Sequence, residues 1–461
     1  MQDLVVIGGG PAGYVGAIRA RQLGMKVTLI EKQDLGGTCL NRGCIPTKAY
    51  YQNARVLHTL AHLEEYNVRA AGFEFDLPGA RERKQRIVNS IVSGVAALLK
   101  AYRVQTVTGT ATILGPDTVA VNGEIINTRR ILIASGSIPA RPPIPGADLP
   151  GVLTSDEMLD VEKIPGRLVI VGGGVIGLEF ACIYRAFGSE VTVLEGLPTL
   201  LSTMDKEIVK RMNVFIKKQG IDVHTGALVK EICPGDDALQ VVWADKKGTN
   251  NSTADVVLIA TGRKPFTDDL GLEKLGVQLN GGYIEVDEDY ATSIPGVYAV
   301  GDVVGKRMLA HVASEEAKVA VERMAGQQSK VNYDAVPACI FSFPEIAAVG
   351  LTEEEARARD INIKVGRFRF AGNGKAVTMG ETDGMIKVLA DDQDTIIGVH
   401  IIGPHASDLI LEATAMVSWG MKTDEVGTVI HPHPTLGEAL YEAVMDVNSQ
   451  SVHLVPDRKR L

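Results

Sequence analysis

The chain has 461 residues, 45% of them hydrophobic and 22% charged, a globular composition long enough for about three domains. Its 47 Lys and Arg against 56 Asp and Glu give a formal charge of -9. That balance argues against a nucleic-acid binder, whose affinity rests on a basic face that neutralises phosphates, and the run Arg458-Lys459-Arg460 is too short to reverse it.

The first uncharged stretch, residues 4–18, is broken by Gly8-Gly9-Gly10-Pro11. It falls short of the ~20 apolar residues that a membrane helix needs. Met1-Gln2-Asp3 supplies no basic region ahead of it, so no secretory signal is read and a cytoplasmic location is expected. The stretch reads instead as a short strand, a glycine turn (Gly8-Gly9-Gly10-Pro11-Ala12-Gly13) and a helix. A second strand follows and ends at Glu31.

The same unit recurs at residues 168–195, with Gly172-Gly173-Gly174-Val175-Ile176-Gly177 and Glu195. First glycine to acid is 23 positions in both copies, and first glycine to the later Gly24 or Gly188 is 16 in both. A single such turn could belong to any α/β sheet; two in register point to two dinucleotide sites. There the glycines let backbone N–H groups approach a pyrophosphate at a helix N-terminus, and the acid accepts hydrogen bonds from the ribose. Glu195 is followed by Gly196-Leu197-Pro198, with no base to meet a 2′-phosphate, so the second site should prefer NAD to NADP. Each copy closes on a further strand, 131–136 and 257–262. The interval from acid to the last glycine is 105 positions in the first copy and 67 in the second, an insertion of 38.

At the start of that longer interval stand Cys39 and Cys44, in Gly36-Gly37-Thr38-Cys39-Leu40-Asn41-Arg42-Gly43-Cys44-Ile45-Pro46-Thr47-Lys48. Residues five apart on an ideal helix lie ~8.6 Å apart, beyond the ~7 Å limit for a disulfide, so a bridge needs a distorted turn, which the glycines permit. Pro46 suits the first turn of a helix, placing Cys44 at its positive end and favouring a thiolate. Two unrelated buried thiols, or half of a zinc site, are the other readings; no second Cys or His pair nearby completes four ligands, and no metal is expected. Cys182, Cys233 and Cys339 are isolated and read as buried structural thiols.

Beyond Gly262, residues 292–302 read as a turn, a short strand and an exposed acid, Asp302. Later come strand-like segments 384–389 and 395–402, an apolar helix at 408–419, and a final stretch 431–447 with histidines at its helix start. This part carries no nucleotide signature and reads as packing or assembly. His431, with no assigned partner, reads as structural. Glu438 lies five residues after His433, within reach to orient its imidazole as a thiol-deprotonating base.

These features together resemble the pyridine nucleotide-disulfide oxidoreductase family over essentially the whole chain. The match rests on both glycine units, the cysteine stretch, Ala299-Val300-Gly301-Asp302 and His431-Pro432-His433-Pro434-Thr435-Leu436-Gly437-Glu438. The resemblance implies an α/β fold with two Rossmann-like dinucleotide-binding domains plus a C-terminal α+β dimerisation domain. Its divisions would be 1–150 for FAD, 151–263 for NAD, 264–335 completing the FAD site and 336–461 for dimerisation. Gly8, Gly10, Gly13 and Glu31 would hold the adenosine half of FAD, Asp302 its ribityl or phosphate region, and Met308-Leu309-Ala310-His311 the flavin's pyrimidine edge. Lys48 would approach the flavin and pair with Glu179. Gly172, Gly174, Gly177, Glu195 and Gly262 would form the NAD site.

The resemblance further implies a redox disulfide between Cys39 and Cys44, and a homodimer in which His433 and Glu438 of one subunit face the cysteines of the other. The motifs are most similar to the branch that oxidises protein-bound dihydrolipoamide, with a lipoyl-bearing protein of a 2-oxoacid dehydrogenase or glycine cleavage complex as partner. Another flavin disulfide reductase acting on a small disulfide, or a flavin redox sensor, is the alternative. Arg42 and Thr47 depart from the commonest pattern, where valine and serine are frequent.

Overall fold

A computed structural model describes residues 1–455, so the basic run Arg458-Lys459-Arg460 lies outside the described residues. Two five-stranded parallel sheets carry the repeated units. In the first the order is Val297–Ala299, Ile131–Ile133, Leu4–Ile7, Val27–Glu31, Gln105–Thr108. In the second it is Val152–Thr154, Val256–Ile259, Arg167–Val171, Glu190–Glu195, Asp222–Thr225. The registers also correspond: Val5 pairs with Thr28 and Ile131, and Val169 with Thr192 and Val257. Central parallel strands are covered on both faces, which is why Leu4–Ile7 is wholly apolar and wholly buried.

The outermost strand is recruited differently in the two sheets. Val152–Thr154 immediately precedes its own unit, whereas Val297–Ala299 returns from beyond the second unit to pair with Ile131–Ile133. This return delivers Gly301 and Asp302 to the C-terminal edge of the first sheet, where the glycine turn also lies. Asp302 is half-buried there and accepts a hydrogen bond from Ser137 Oγ at 2.6 Å, so the expected exposed acid is corrected.

The longer interval in the first copy is accounted for by its helices. Between the second and third strands the first unit holds the helices Gly37–Asn41, Cys44–Leu60 and Leu77–Ala101, where the second unit has only Lys206–Lys218. The extra length therefore carries the cysteines.

The C-terminal part is a five-stranded antiparallel sheet, ordered Ala338–Ile340, Glu345–Gly350, Ile396–Gly403, Met385–Ala390, Lys364–Arg369. The helices Ala406–Trp419 and Gly437–Asp446 pack on it, and Ile386, Val388, Ile401, Ala413, Leu440 and Val444 share one core. The final helix begins at Gly437, so His431 and His433 lie in the loop before it, which corrects the expectation that they stand at a helix start. The prolines at 432 and 434 lack the backbone N–H that a continuing helix requires. Among the described residues no helix is long and apolar enough to cross a membrane.

Candidate active site

A single cleft of about 1840 Å³ runs across both glycine turns and the cysteine pair. Small-ligand pockets usually measure ~300–1,000 Å³, so this one has room for more than one ligand. Gly8, Gly10, Glu31, Asp302, Leu309, Ala310 and His311 line one part, and Gly172, Gly174, Glu195 and Gly262 another. Cys39, Cys44, Lys48 and Glu179 line it as well.

The two turns are built alike. A Cβ on Gly13 would lie 1.8 Å from the carbonyl oxygen of Gly8, and one on Gly177 2.0 Å from that of Gly172. Those glycines seal each turn against its helix. Gly10 and Gly174 are the N-cap residues of the helices Pro11–Gln22 and Val175–Ala186, and no side chain caps either helix. A Cβ on Gly174 would meet nothing within 4 Å, and one on Gly10 only the Gly37 Cα at 3.8 Å. Each helix start thus offers uncapped N–H groups to the cleft, as a pyrophosphate requires.

The acids are more committed than their spacing suggested. Glu31 accepts the N–H of Gly9 at 2.6 Å and of Gln33 at 2.8 Å; Glu195 accepts the N–H of Gly173 at 2.5 Å and of Leu197 at 2.7 Å. Each carboxylate therefore locks its own turn, and both line the cleft, where their remaining lone pairs would be available to a ribose. These residues fit two dinucleotides.

The cysteine turn has the distortion a disulfide needs. The helix Gly37–Asn41 stops, Gly43 takes φ -137° and ψ -112°, and the helix Cys44–Leu60 restarts. Cys39 and Cys44 stand as free thiols in hydrogen-bonding contact. That hydrogen bond is the main influence lowering Cys44, which is exposed at the cleft and ends at about 7; the Lys48 ammonium lowers it further. The same hydrogen bond, with burial, drives Cys39 well above the ordinary thiol range. Cys44, at the N-terminus of its helix and one turn from the Lys48 ammonium, is the better thiolate and leaving group of the two.

Lys48 sits one helical turn beyond Cys44. Its Nζ donates to Glu179 at 2.8 and 2.9 Å and lies 4.5 Å from the Phe341 ring centroid. Glu179 is 4% exposed and also accepts the Phe341 N–H at 3.1 Å. The pair ties the cysteine helix to the first helix of the second unit.

His433 and Glu438 are not brought to this cleft within one chain. His433 Nδ1 lies 2.9 Å from Glu438 Oε1, and the imidazole is 78% exposed. Burial alone would raise Glu438, but the Thr435 N–H and His433 hold it below the usual carboxylate range. His431 does have a partner, Glu412 at 2.9 Å, and its side chain is 8% exposed, which corrects the expectation of an unpartnered residue. Cys339 is half-buried at the cleft wall rather than sequestered in a core, burial pushing its thiol up to about 11. Cys233 is likewise only part-buried, while Cys182 is buried as expected.

Two site residues escaped the sequence reading. Arg263 Nε donates to Ser137 Oγ at 2.7 Å, and Ser137 Oγ in turn donates to Asp302. Arg263 also reaches the Ser137 carbonyl at 2.8 Å and Thr38 Oγ1 at 3.4 Å. Ser137 and Arg263 directly follow Gly136 and Gly262, so the repeat itself marks them. Their short strands, Ser137–Pro139 and Arg263–Pro265, pair with each other and join the units.

Paired dinucleotide folds around a dithiol define a class. The chain belongs to the pyridine nucleotide-disulphide oxidoreductase family, whose model matches residues 2–317 and whose dimerisation domain matches residues 336–444. FAD and NAD are its cofactors. Among its relatives is the dihydrolipoyl dehydrogenase of Bacillus subtilis, 42% identical over 98% of this chain and 99% of that one. That of Thermus scotoductus is 41% identical over the same shares. Solved structures with the same fold include the HOCl-induced flavoprotein disulfide reductase RclA from Escherichia coli (29% identity, TM-score 0.86, covering 96% of this chain and 99% of that one). LpdA from Mycobacterium tuberculosis is 25% identical, with a TM-score of 0.88 and the same coverage.

Proposed function

We propose that this chain oxidises protein-bound dihydrolipoamide to lipoamide and reduces NAD+ to NADH, working in the cytoplasm as a homodimer with composite sites. The observation that carries the reading is the Cys39–Cys44 pair, with Lys48 and Glu179 beside it, in one cleft with two dinucleotide cradles. Full-length kinship with dihydrolipoyl dehydrogenases supports the substrate.

In the oxidised enzyme Cys39 and Cys44 form a disulfide. His433 takes a proton from one substrate thiol, and Glu438 orients and stabilises the imidazolium. The thiolate attacks Cys39 Sγ, a substrate–Cys39 bond forms and the Cys39–Cys44 bond breaks. Cys44 leaves as a thiolate, favoured by Lys48. His433 releases the first proton to solvent and takes that of the second substrate thiol, whose sulfur attacks the first, closing lipoamide and expelling Cys39, which recovers this proton from His433. Bound FAD supplies the two-electron acceptor between the resulting dithiol and NAD+. Lys48 and Glu179 hold the cysteine helix in place for that transfer.

A lipoyl-bearing protein of a 2-oxoacid dehydrogenase or glycine cleavage complex is the partner in this reading. Composite sites are supported by the position of His433 outside its own cleft, and by Trp419, Leu411 and Ile430, which expose 79%, 74% and 95% of their surface on the dimerisation domain. The test is NAD+ reduction driven by dihydrolipoamide. It should disappear in Cys44→Ser, and faster turnover of a small disulfide with NADPH would favour another disulfide reductase. Fractionation of the source cells checks the location.

A further inference from the structure

Behind the cleft lies a buried carboxylate that the reaction above does not use. Glu316, 1% exposed on the helix Ala310–Met324, accepts the Gly301 N–H at 2.7 Å and the Tyr333 hydroxyl at 2.6 Å. Because a carboxylate only accepts, the Tyr333 proton is committed to it, and Tyr290, 2.9 Å away, donates to Tyr333. Lys306 Nζ lies 4.8 and 5.4 Å from the two ring centroids.

The chain is tightly constrained where this network ends. Gly301 has φ +77°, and a Cβ there would lie 3.2 Å from that of Ala313 and 3.5 Å from that of Ala12. The corner is thus wedged between the helix Ala310–Met324 and the helix Pro11–Gln22 behind the first glycine turn. The following residue, Asp302, turns into the cleft and is held from the other side by Ser137. Burying a carboxylate costs desolvation, and packing alone would be served by leucine. Both Glu316 oxygens are spent on fixing this corner and its brace.

We propose that Glu316, braced by Tyr333 and Tyr290, is a positioning residue for FAD: it fixes the Gly301–Asp302 corner so that Asp302 meets the cofactor preorganised. The inference rests on FAD occupying the cleft as in the reading above. A hydrogen bond to a buried charged acceptor, lost with its partner left unpaired, corresponds to about 10–100-fold in affinity.

The test strips flavin from the full-length protein and titrates FAD back, following flavin fluorescence and the shape of its visible absorption band. NADH affinity and the melting midpoint of the flavin-free protein are measured alongside. Glu316→Leu should weaken FAD about 10–100-fold and alter the bound flavin's band with NADH affinity nearly unchanged, while the two donors it leaves unpaired lower the midpoint modestly. Glu316→Gln, whose amide oxygen can still accept from Gly301, should recover most of the loss. Tyr333→Phe leaves Glu316 with one donor fewer and should weaken FAD about 3–10-fold, which keeps the test open if Glu316→Leu does not fold. FAD affinity within twofold of wild type in both Glu316→Leu and Tyr333→Phe would overturn the inference. So would a parallel fall of FAD affinity, NADH affinity and midpoint, the signature of a merely structural role. Failure of the wild-type protein to take up FAD would instead reject the reading on which it rests.

Discussion

Replacing His433 should separate the two halves of the reaction. The imidazole stands 78% exposed and outside the cleft of its own chain, with Glu438 as its hydrogen-bond partner at 2.9 Å. A general base is needed where a dithiol loses a proton, and removing one typically costs ~10²–10⁴-fold. NADH-driven reduction of a dye needs no such base. His433→Ala should therefore lower dihydrolipoamide oxidation by about 10²–10⁴-fold while keeping most dye reduction. Glu438→Gln should cost less. Its carboxamide, one oxygen and one nitrogen, keeps the side chain's shape, and the lost charge interaction between exposed partners is worth ~1 kcal/mol or less, about fivefold. His431→Ala removes a buried ring that pairs with Glu412, so it should affect stability and neither half-reaction. Stopped-flow measurement of each half-reaction with FAD content checked decides the matter. Mixing Cys39→Ser and His433→Ala chains should restore turnover in heterodimers that contain one intact composite site. Loss of both half-reactions in folded, FAD-loaded His433→Ala would refute the assigned role, and no recovery in verified heterodimers would refute subunit sharing.

Glu195, locked to Gly173 and Leu197 with no base beside it, should give NAD(H) at least tenfold higher kcat/KM than NADP(H), about 1.4 kcal/mol; equal values would refute this. Cys39→Ala removes the main influence lowering Cys44, so the midpoint of Cys44 alkylation against pH, followed site by site by mass spectrometry, should rise from about 7 toward the ordinary thiol value; an unmoved midpoint would reject the thiol–thiol hydrogen bond. Lys387 is buried against Asp205 at 2.8 Å and Glu353 at 2.7 Å, joining the C-terminal sheet to the second nucleotide unit. Lys387→Met leaves Asp205 buried without its cation and should cost ~3–5 kcal/mol at neutral pH, read from urea unfolding. The Lys387 ammonium holds Glu353 low, and it holds Asp205 low against burial. Such depressed carboxylates add stability that is complete above their unfolded values and is lost as pH falls through the folded ones. The deficit of the variant should therefore shrink toward acid, and a deficit constant with pH would contradict the pairing.

Local chemistry was legible in the residue order. A glycine turn between an apolar strand and a helix can be read without coordinates because the backbone itself demands it, and the duplicated spacing from Gly8 to Glu31 and Gly172 to Glu195 made the two cradles visible. The Cys39–Cys44 turn and the choice between NAD and NADP were equally local, resting on residues within a few positions of each other. Tertiary structure decided what depends on distant segments meeting. Asp302 is half-buried because the strand Val297–Ala299 crosses back to the first sheet, a pairing over some 160 residues that no periodicity encodes. His431 finds Glu412 on a neighbouring helix, and Arg263 reaches Ser137 because the equivalent strands of the two repeats pair with each other. Glu316 looks like one more polar residue on a helix until that helix packs its Ala313 against Gly301. Sequence spacing determines which backbone groups can bind a phosphate or which thiols can pair; only the packing of sheets and helices determines which side chains lose water and must find one another.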